Sequence, residues 1–127
     1  MTDAITGLDH IALLVSDREA SLRFYRTLGF VLAASHPRPE RGDEILMLRG
    51  HGVTLELFAA AGRPPRVTRP EAYGLRHLAL HTADVSADVR VLEAAGYRPE
   101  PIRRDTFSGA RMTFVADPDG LPIELHE

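Results

Sequence analysis

A chain of 127 residues, 44 % apolar and 26 % charged, is sized for one globular domain or two small halves sharing a core, and its composition is neither disordered nor collagen-like. A net charge of −3 and a pI near 6.1 leave no dominant basic field, so nucleic acid is not an expected partner. Cys is absent, which excludes disulfides, thiolate nucleophiles and thiolate metal ligands. The first residues show no basic, then apolar, leader pattern, and apolar runs such as 11–15 are too short to span a bilayer. A cytoplasmic protein with no membrane partner is expected.

Residues 7–15 are short and β-rich. Ser16-Asp-Arg-Glu19 has the form of a capping box and predicts a helix start. Leu22, Tyr25 and Leu28 form that helix's apolar stripe, and Gly29 is its predicted stop. Strands are predicted over 30–35, 44–49 and 53–59, with an irregular polar stretch over 35–42. Residues 60–73 carry three prolines without periodicity and read as a linker. The order of signals then repeats. Residues 74–81 are β-rich, Asp84 is a candidate cap, Val85, Val89, Leu92 and Ala95 form a stripe, and Gly96 stops it. Strands are predicted over 97–103, 110–116 and 121–126, with Asp117-Pro-Asp-Gly120 as a turn between the last two.

The repetition extends to residue identities. Residues 7–30 realign with 74–97 at a constant offset of 67, and nine of the 24 positions are identical. Gly52-Val-Thr-Leu-Glu-Leu57 realigns with Gly120-Leu-Pro-Ile-Glu-Leu125 at an offset of 68. Two tandem βαβββ modules follow, 1–60 and 74–127, with 61–73 as the linker. Each module carries one His on its first strand, His10 and His77, and one Glu on its last, Glu56 and Glu124. Each Glu alternates with apolar neighbours, Leu55 and Leu57 or Ile123 and Leu125. A carboxylate in the middle of an apolar strand is costly without a partner. Two symmetric copies of that oddity point to a shared purpose. Two imidazole nitrogens and two carboxylate oxygens suit one divalent ion: Zn, Ni, Co, Mn or Fe(II).

With these residues in view, the chain resembles the vicinal-oxygen-chelate superfamily, which includes glyoxalase I, methylmalonyl-CoA epimerase, extradiol dioxygenases and the fosfomycin and bleomycin resistance proteins. The marks are Leu8-Asp-His-Ile-Ala12, Ser21-Leu-Arg-Phe-Tyr-Arg-Thr-Leu-Gly-Phe30, Leu55-Glu-Leu57, Leu75-Arg-His-Leu-Ala79 and Asp117-Pro-Asp-Gly-Leu-Pro-Ile-Glu-Leu125. Residues 69–79 and the Asp-Pro-Asp-Gly-Leu-Pro run are most similar to a bacterial glyoxalase-like branch, the YaeR/YwkD-like proteins. The resemblance implies an α+β fold in which two βαβββ modules form a cupped, incomplete mixed β-barrel with helices outside. It implies His10, Glu56, His77 and Glu124 as metal ligands, completed within one chain or across a homodimer. It implies a glyoxalase I-like lyase or isomerase acting on a small α-hydroxycarbonyl or thiol adduct through a metal-stabilised enediolate, with Glu124 or Glu56 as both ligand and base. A dioxygenase or epimerase of the same superfamily, or a non-catalytic protein that sequesters an antibiotic, is the alternative.

Other polar residues read differently. His81 and His126 each lie two positions beyond a proposed ligand and are expected at strand ends near solvent; the alternative is that they touch substrate or orient a ligand. Arg76 is expected in a structural salt bridge. Arg103, Arg104 and Arg111 are expected on the surface, with an anionic substrate group as the alternative. Phe24 and Tyr25 are expected to pack in the core.

Overall fold

The computed structural model describes residues 1–127 as two compact units, Met1–Arg63 and Pro64–Glu127. Each unit pairs one helix with one open four-stranded sheet, giving an α+β fold.

In the first unit the elements are β1 (Ile11–Val15), α1 (Arg18–Thr27), β2 (Val31–Arg38), β3 (Asp43–Gly50) and β4 (Val53–Ala59). The sheet order is β1-β4-β3-β2. The first and last strands of the module are therefore neighbours, paired parallel, and the rest of the sheet is antiparallel. Strand alternation sorts the side chains onto two faces. Leu13, Leu57 and Leu46 stand in register on one face, as do Ile11, Leu55 and Leu48. All but Ile11 are buried, together with Leu22, Phe24 and Tyr25 of α1. The Arg18 guanidinium of α1 donates to Glu44 of β3 at 2.9 Å, tying helix to sheet. The Ser35 hydroxyl and Arg18, in that order, hold the Glu44 carboxyl below the ordinary glutamate range.

The second unit repeats the plan with β5 (Leu78–His81), α2 (Val85–Ala94), β6 (Arg103–Arg104), β7 (Arg111–Ala116) and β8 (Pro122–His126), in the order β5-β8-β7-β6. Ile123 and Val115 face one way with the buried Leu125 and Thr113, and α2 contributes Val85 and Leu92 to the core. Arg111 of β7 bonds both Ser86 of α2 and Glu127, and Glu127 also accepts from the backbone N–H of Val85.

Several elements differ from the sequence expectation. The first helix is capped by Asp17, not by a Ser16 capping box: the Asp17 carboxylate accepts from Ala20 N at 2.9 Å. Asp and Ser are comparable caps, so composition alone left a one-residue ambiguity. Asp17→Ala is expected to lower stability by about 1 kcal/mol and Asp17→Ser by much less, measured by urea denaturation. Residues 35–42 are ordered: β2 runs on to Arg38, a 3₁₀ turn covers Pro39–Arg41, and β3 begins at Asp43. A two-pronged Arg38–Asp43 pair, 2.7 Å at each contact, closes this hairpin in place of apolar alternation. The strand expected over 97–103 shrinks to Arg103–Arg104. The helix stops are as expected. Gly29 has φ of 89°, and a side chain there would meet His51 Nε2 at 2.8 Å.

Candidate metal centre

β1 begins at Ile11 and β5 at Leu78, so His10 and His77 sit one residue before their strands. Each still meets the Glu of the adjacent parallel strand. In the first unit His10 Nε2 lies 3.4 Å from Glu56 Oε2. In the second, His77 Nε2 lies 3.2 Å from Glu124 Oε2. The parallel pairing causes this: Glu56 is in register with Ala12 and Glu124 with Ala79, two residues past each His and on the same face. That face is the one opposite the buried Leu55 and Leu57, or Ile123 and Leu125. Glu56 and Glu124 are nonetheless partly shielded there, with side chains 18 % and 11 % exposed.

The surroundings of the two pairs differ. In the first unit Asp9 Oδ1 accepts from His10 Nδ1 at 2.6 Å and is the main reason that the imidazole pKa is raised. Once Nδ1 carries that proton, a neutral His10 presents a bare Nε2 to a carboxylate oxygen. Two lone pairs then face each other, and something positive must sit between them, a proton or a cation. In the second unit the support falls on the carboxylate. Glu124 Oε1 lies 3.2 Å from His126 Nδ1, and His126 Nε2 lies 3.2 Å from Ser108 Oγ. Asp105, Glu124 and His126 bring donor atoms within 4.8 Å of one another.

The donor set fits a divalent ion. Ligand bonds near 2.1 Å place neighbouring donors about 3.4 Å apart at tetrahedral angles and about 3.0 Å apart at right angles. The 3.4 Å and 3.2 Å separations fall in or at the edge of that interval. Carboxylate support of His10 is the arrangement that metal-bound histidines commonly show.

His77 also lines a cleft of about 610 Å³ within the second unit, with Arg66, Arg69, Arg76, Arg103 and Phe114 around it. Arg76 pairs with Glu71 at 2.6 Å, the salt bridge expected from sequence. Arg103 pairs with Glu100 and lies over the Phe114 ring, so it borders the cleft. Arg104 donates to Gly109 O and Arg111 to Glu127 and Ser86, which gives both structural work. His81 Nδ1 lies 3.0 Å from His126 O and stays exposed at the strand end. His126 is not a bare strand end: its side chain is 27 % exposed and bonded at both nitrogens.

Comparison with known proteins places this architecture. The sequence model of the glyoxalase/bleomycin resistance protein/dioxygenase superfamily matches residues 7–125. The chain belongs to that superfamily. Within it, the uncharacterized protein YwkD of Bacillus subtilis (strain 168) is 44 % identical over 125 residues, covering 97 % of this chain and 98 % of its own. YaeR of Escherichia coli (strain K12), also uncharacterized, is 45 % identical over 123 residues and 93 % of each chain. A 2-epi-5-epi-valiolone epimerase of Actinomyces sp is 33 % identical over 94 % of this chain and 78 % of its own. Among solved structures, SMU.1112c superposes with a TM-score of 0.91 at 42 % identity, over 97 % of this chain and 99 % of that one. A glyoxalase I mutant from Zea mays superposes with a TM-score of 0.79 over 92 % of this chain and 43 % of that one; at 20 % identity it shows the shared superfamily fold alone.

Sequence reasoning missed Asp9, Asp105 and Ser108. Strict alternation puts Asp9 on the face away from His10, yet residue 9 precedes the strand and its carboxylate curls back onto the imidazole. Asp105 and Ser108 lie in a polar loop that no periodicity marks.

Proposed function

We propose that the chain is a divalent-metal-dependent lyase or isomerase of the glyoxalase I type, acting on a small α-hydroxycarbonyl or thiol-adduct substrate. His10, Glu56, His77 and Glu124 hold the ion together, within one chain or between two copies. The observation that carries this reading is the repeated His–Glu pair. In the first unit, Asp9 turns the bare nitrogen of His10 toward a carboxylate, and the second unit repeats the pair at nearly the same separation.

A bound divalent ion would polarise a substrate carbonyl oxygen. One of the two carboxylates takes the proton from the adjacent carbon. The electron pair of the broken C–H bond moves into the C–C bond, and the carbonyl π pair moves onto its oxygen. Returning that proton to the neighbouring carbon, while the hydroxyl proton of the first carbon passes to the new oxyanion, makes the first carbon the carbonyl and completes an isomerisation with no oxidant or reductant consumed. Returning it to the original carbon from the opposite side makes an epimerisation. That is the second reading, favoured by the 33 % identity to an epimerase. The arginines around His77 suit a substrate that also carries a carboxylate or phosphate. A homodimer is part of the proposal, supported by membership of a superfamily whose members often form dimers.

The test is elemental analysis of untagged protein, followed by titration with Ni, Co, Zn, Mn and Fe(II) and a screen of dicarbonyl–thiol adducts. One tightly held ion per four-residue set, with turnover of at least one adduct or hydroxycarbonyl, is the expected result. No bound ion and no uptake of any of the five would end the metal-enzyme reading and leave a sequestering protein in its place.

A further inference from the structure

We propose that the cleft beside His77 is an oxyanion subsite, in which Arg66 and Arg69 receive a phosphate or carboxylate group carried by the substrate. The substrate is then an anionic hydroxycarbonyl, a class that rests on the function proposed above for its reacting end. Every residue of the subsite lies in the second unit.

The floor of the cleft belongs to the sheet face that carries Glu124. Phe114 of β7 stands in register with Glu124, and Pro122 lies two residues before it on the same strand face. The His77 imidazole meets the Phe114 ring edge to face at 5.2 Å, and its Nε2 lies 3.2 Å from Glu124 Oε2. A molecule lying on Phe114 thus has one end at the His77–Glu124 pair. A volume of about 610 Å³ is that of a site for a small organic ligand, so a compact reacting end leaves room for a further group.

Charge on the lining is lopsided. Four arginines and two glutamates border the cleft, a surplus of two positive charges in a chain whose net charge is −3. Pairing locates the surplus. Arg76 Nε donates to Glu71 at 2.6 Å and Arg103 Nη1 to Glu100 at 2.8 Å, so these two cations are matched. Arg66 meets only neutral acceptors: its Nη2 donates to Leu75 O at 2.8 Å and to Arg76 O at 2.9 Å. Both Nη2 protons are spent there, which orders the guanidinium on the chain entering His77 and leaves its Nε and Nη1 protons unspent. Arg69 makes neither an ion pair nor a hydrogen bond. An ordered planar fork beside an unpaired arginine suits the oxygens of a carboxylate or phosphate. The first module has no counterpart. The residues before His10 include no arginine, and the position matching Arg76 is Asp9, whose carboxylate turns onto His10. The cationic approach is a property of the second module alone and is no part of the repeated His–Glu plan.

The experiment uses the full-length chain stripped of metal, so that anion binding is read without the ion. ¹H–¹⁵N spectra follow titrations with glycerol 3-phosphate, glycerate and glycerol at low ionic strength, for wild type, Arg69→Gln, Arg66→Gln and Arg98→Gln. The three probes share a carbon skeleton and differ in the charged group, and Arg98 is exposed and outside the cleft. At least one of the two anions is expected to bind wild type, with shifts at residues 66–76 and Phe114, and glycerol is expected not to bind. Arg69→Gln and Arg66→Gln are each expected to weaken binding about tenfold, with Arg98→Gln within about twofold of wild type. Binding of glycerol 3-phosphate alone makes the group a phosphate; binding of glycerate alone makes it a carboxylate. No binding of either anion overturns the proposal, as does wild-type affinity in Arg69→Gln or equal weakening in Arg98→Gln. Arg69 makes no bond in the folded chain, so its replacement separates lost binding from lost folding. Metal uptake, measured separately, tells the two failures apart. An anion bound by a chain that takes up no ion leaves the subsite standing and ends the metal-enzyme reading; ion uptake without anion binding does the reverse.

Discussion

Glu124→Gln is expected to cost more metal affinity than Glu56→Gln, and both are expected to lower turnover. A Gln at position 56 retains a carbonyl oxygen for the metal but loses the charge that faces His10 Nε2. It has no basic oxygen to take a proton, so turnover is expected to fall by about 10²- to 10⁴-fold, the usual worth of a positioned general base. Metal affinity in this variant is expected to drop by no more than about tenfold. Glu124 differs because both of its oxygens are engaged, one beside His77 Nε2 and one beside His126 Nδ1. An amide placed there must turn its NH₂ group toward one of them. Facing His77, it occupies the ligand position with no lone pair to give; facing His126, it replaces the oxygen beside Nδ1. At least tenfold, and on the order of 100-fold, loss of affinity is expected. Metal content after dialysis, chelator-competition affinity and kcat, measured side by side, separate the two variants. Wild-type affinity and turnover in both variants would remove these two carboxylates from the site.

Phe24→Ala is expected to be the most damaging single change in the first unit outside the site. Phe24 is fully buried, its ring meets Tyr25 edge to face at 5.1 Å, and Tyr25 in turn meets Phe30 at 6.1 Å. Truncating a buried Phe removes apolar burial and leaves a cavity that a close-packed interior fills only in part, at a cost of about 3–5 kcal/mol. For a chain of this size that corresponds to a fall in melting temperature on the order of 10 °C or more. Thermal and urea unfolding followed by circular dichroism check it. A loss below about 1 kcal/mol would mean that the site collapses freely and that this aromatic cluster is not the keystone of the first unit.

Helices, stops and most strands were legible because their signals are local. Asp84 caps α2, accepting from Ala87 N at 3.0 Å, and Gly29 and Gly96 follow the helix ends with φ near 90°. β4 spans Val53–Ala59, the residues that alternation marked. Legibility failed where pairing, not periodicity, makes the strand. Residues 35–38 include a Pro, a His and an Arg, yet they extend because β3 offers a partner and Arg38–Asp43 closes the hairpin. Residues 97–102 look β-rich, but in the structure Tyr97 bonds back to Leu92 at the helix end, and the stretch meets β7 at Glu100, beside Phe114 and Thr113.

By itself the sequence determined the tandem modules and the identity of the His and Glu in each, because an internal repeat keeps register in one dimension. It also fixed which face each Glu shares, because side chains on a strand alternate strictly. Tertiary structure decided the rest. The parallel β1–β4 and β5–β8 pairings bring residues 46 or 47 positions apart to within 3.4 Å and 3.2 Å. Only the folded backbone shows that Asp9 turns His10 and that the 105–110 loop backs His126. These contacts depend on where a loop's polar atoms point, and no periodicity in a sequence encodes that direction.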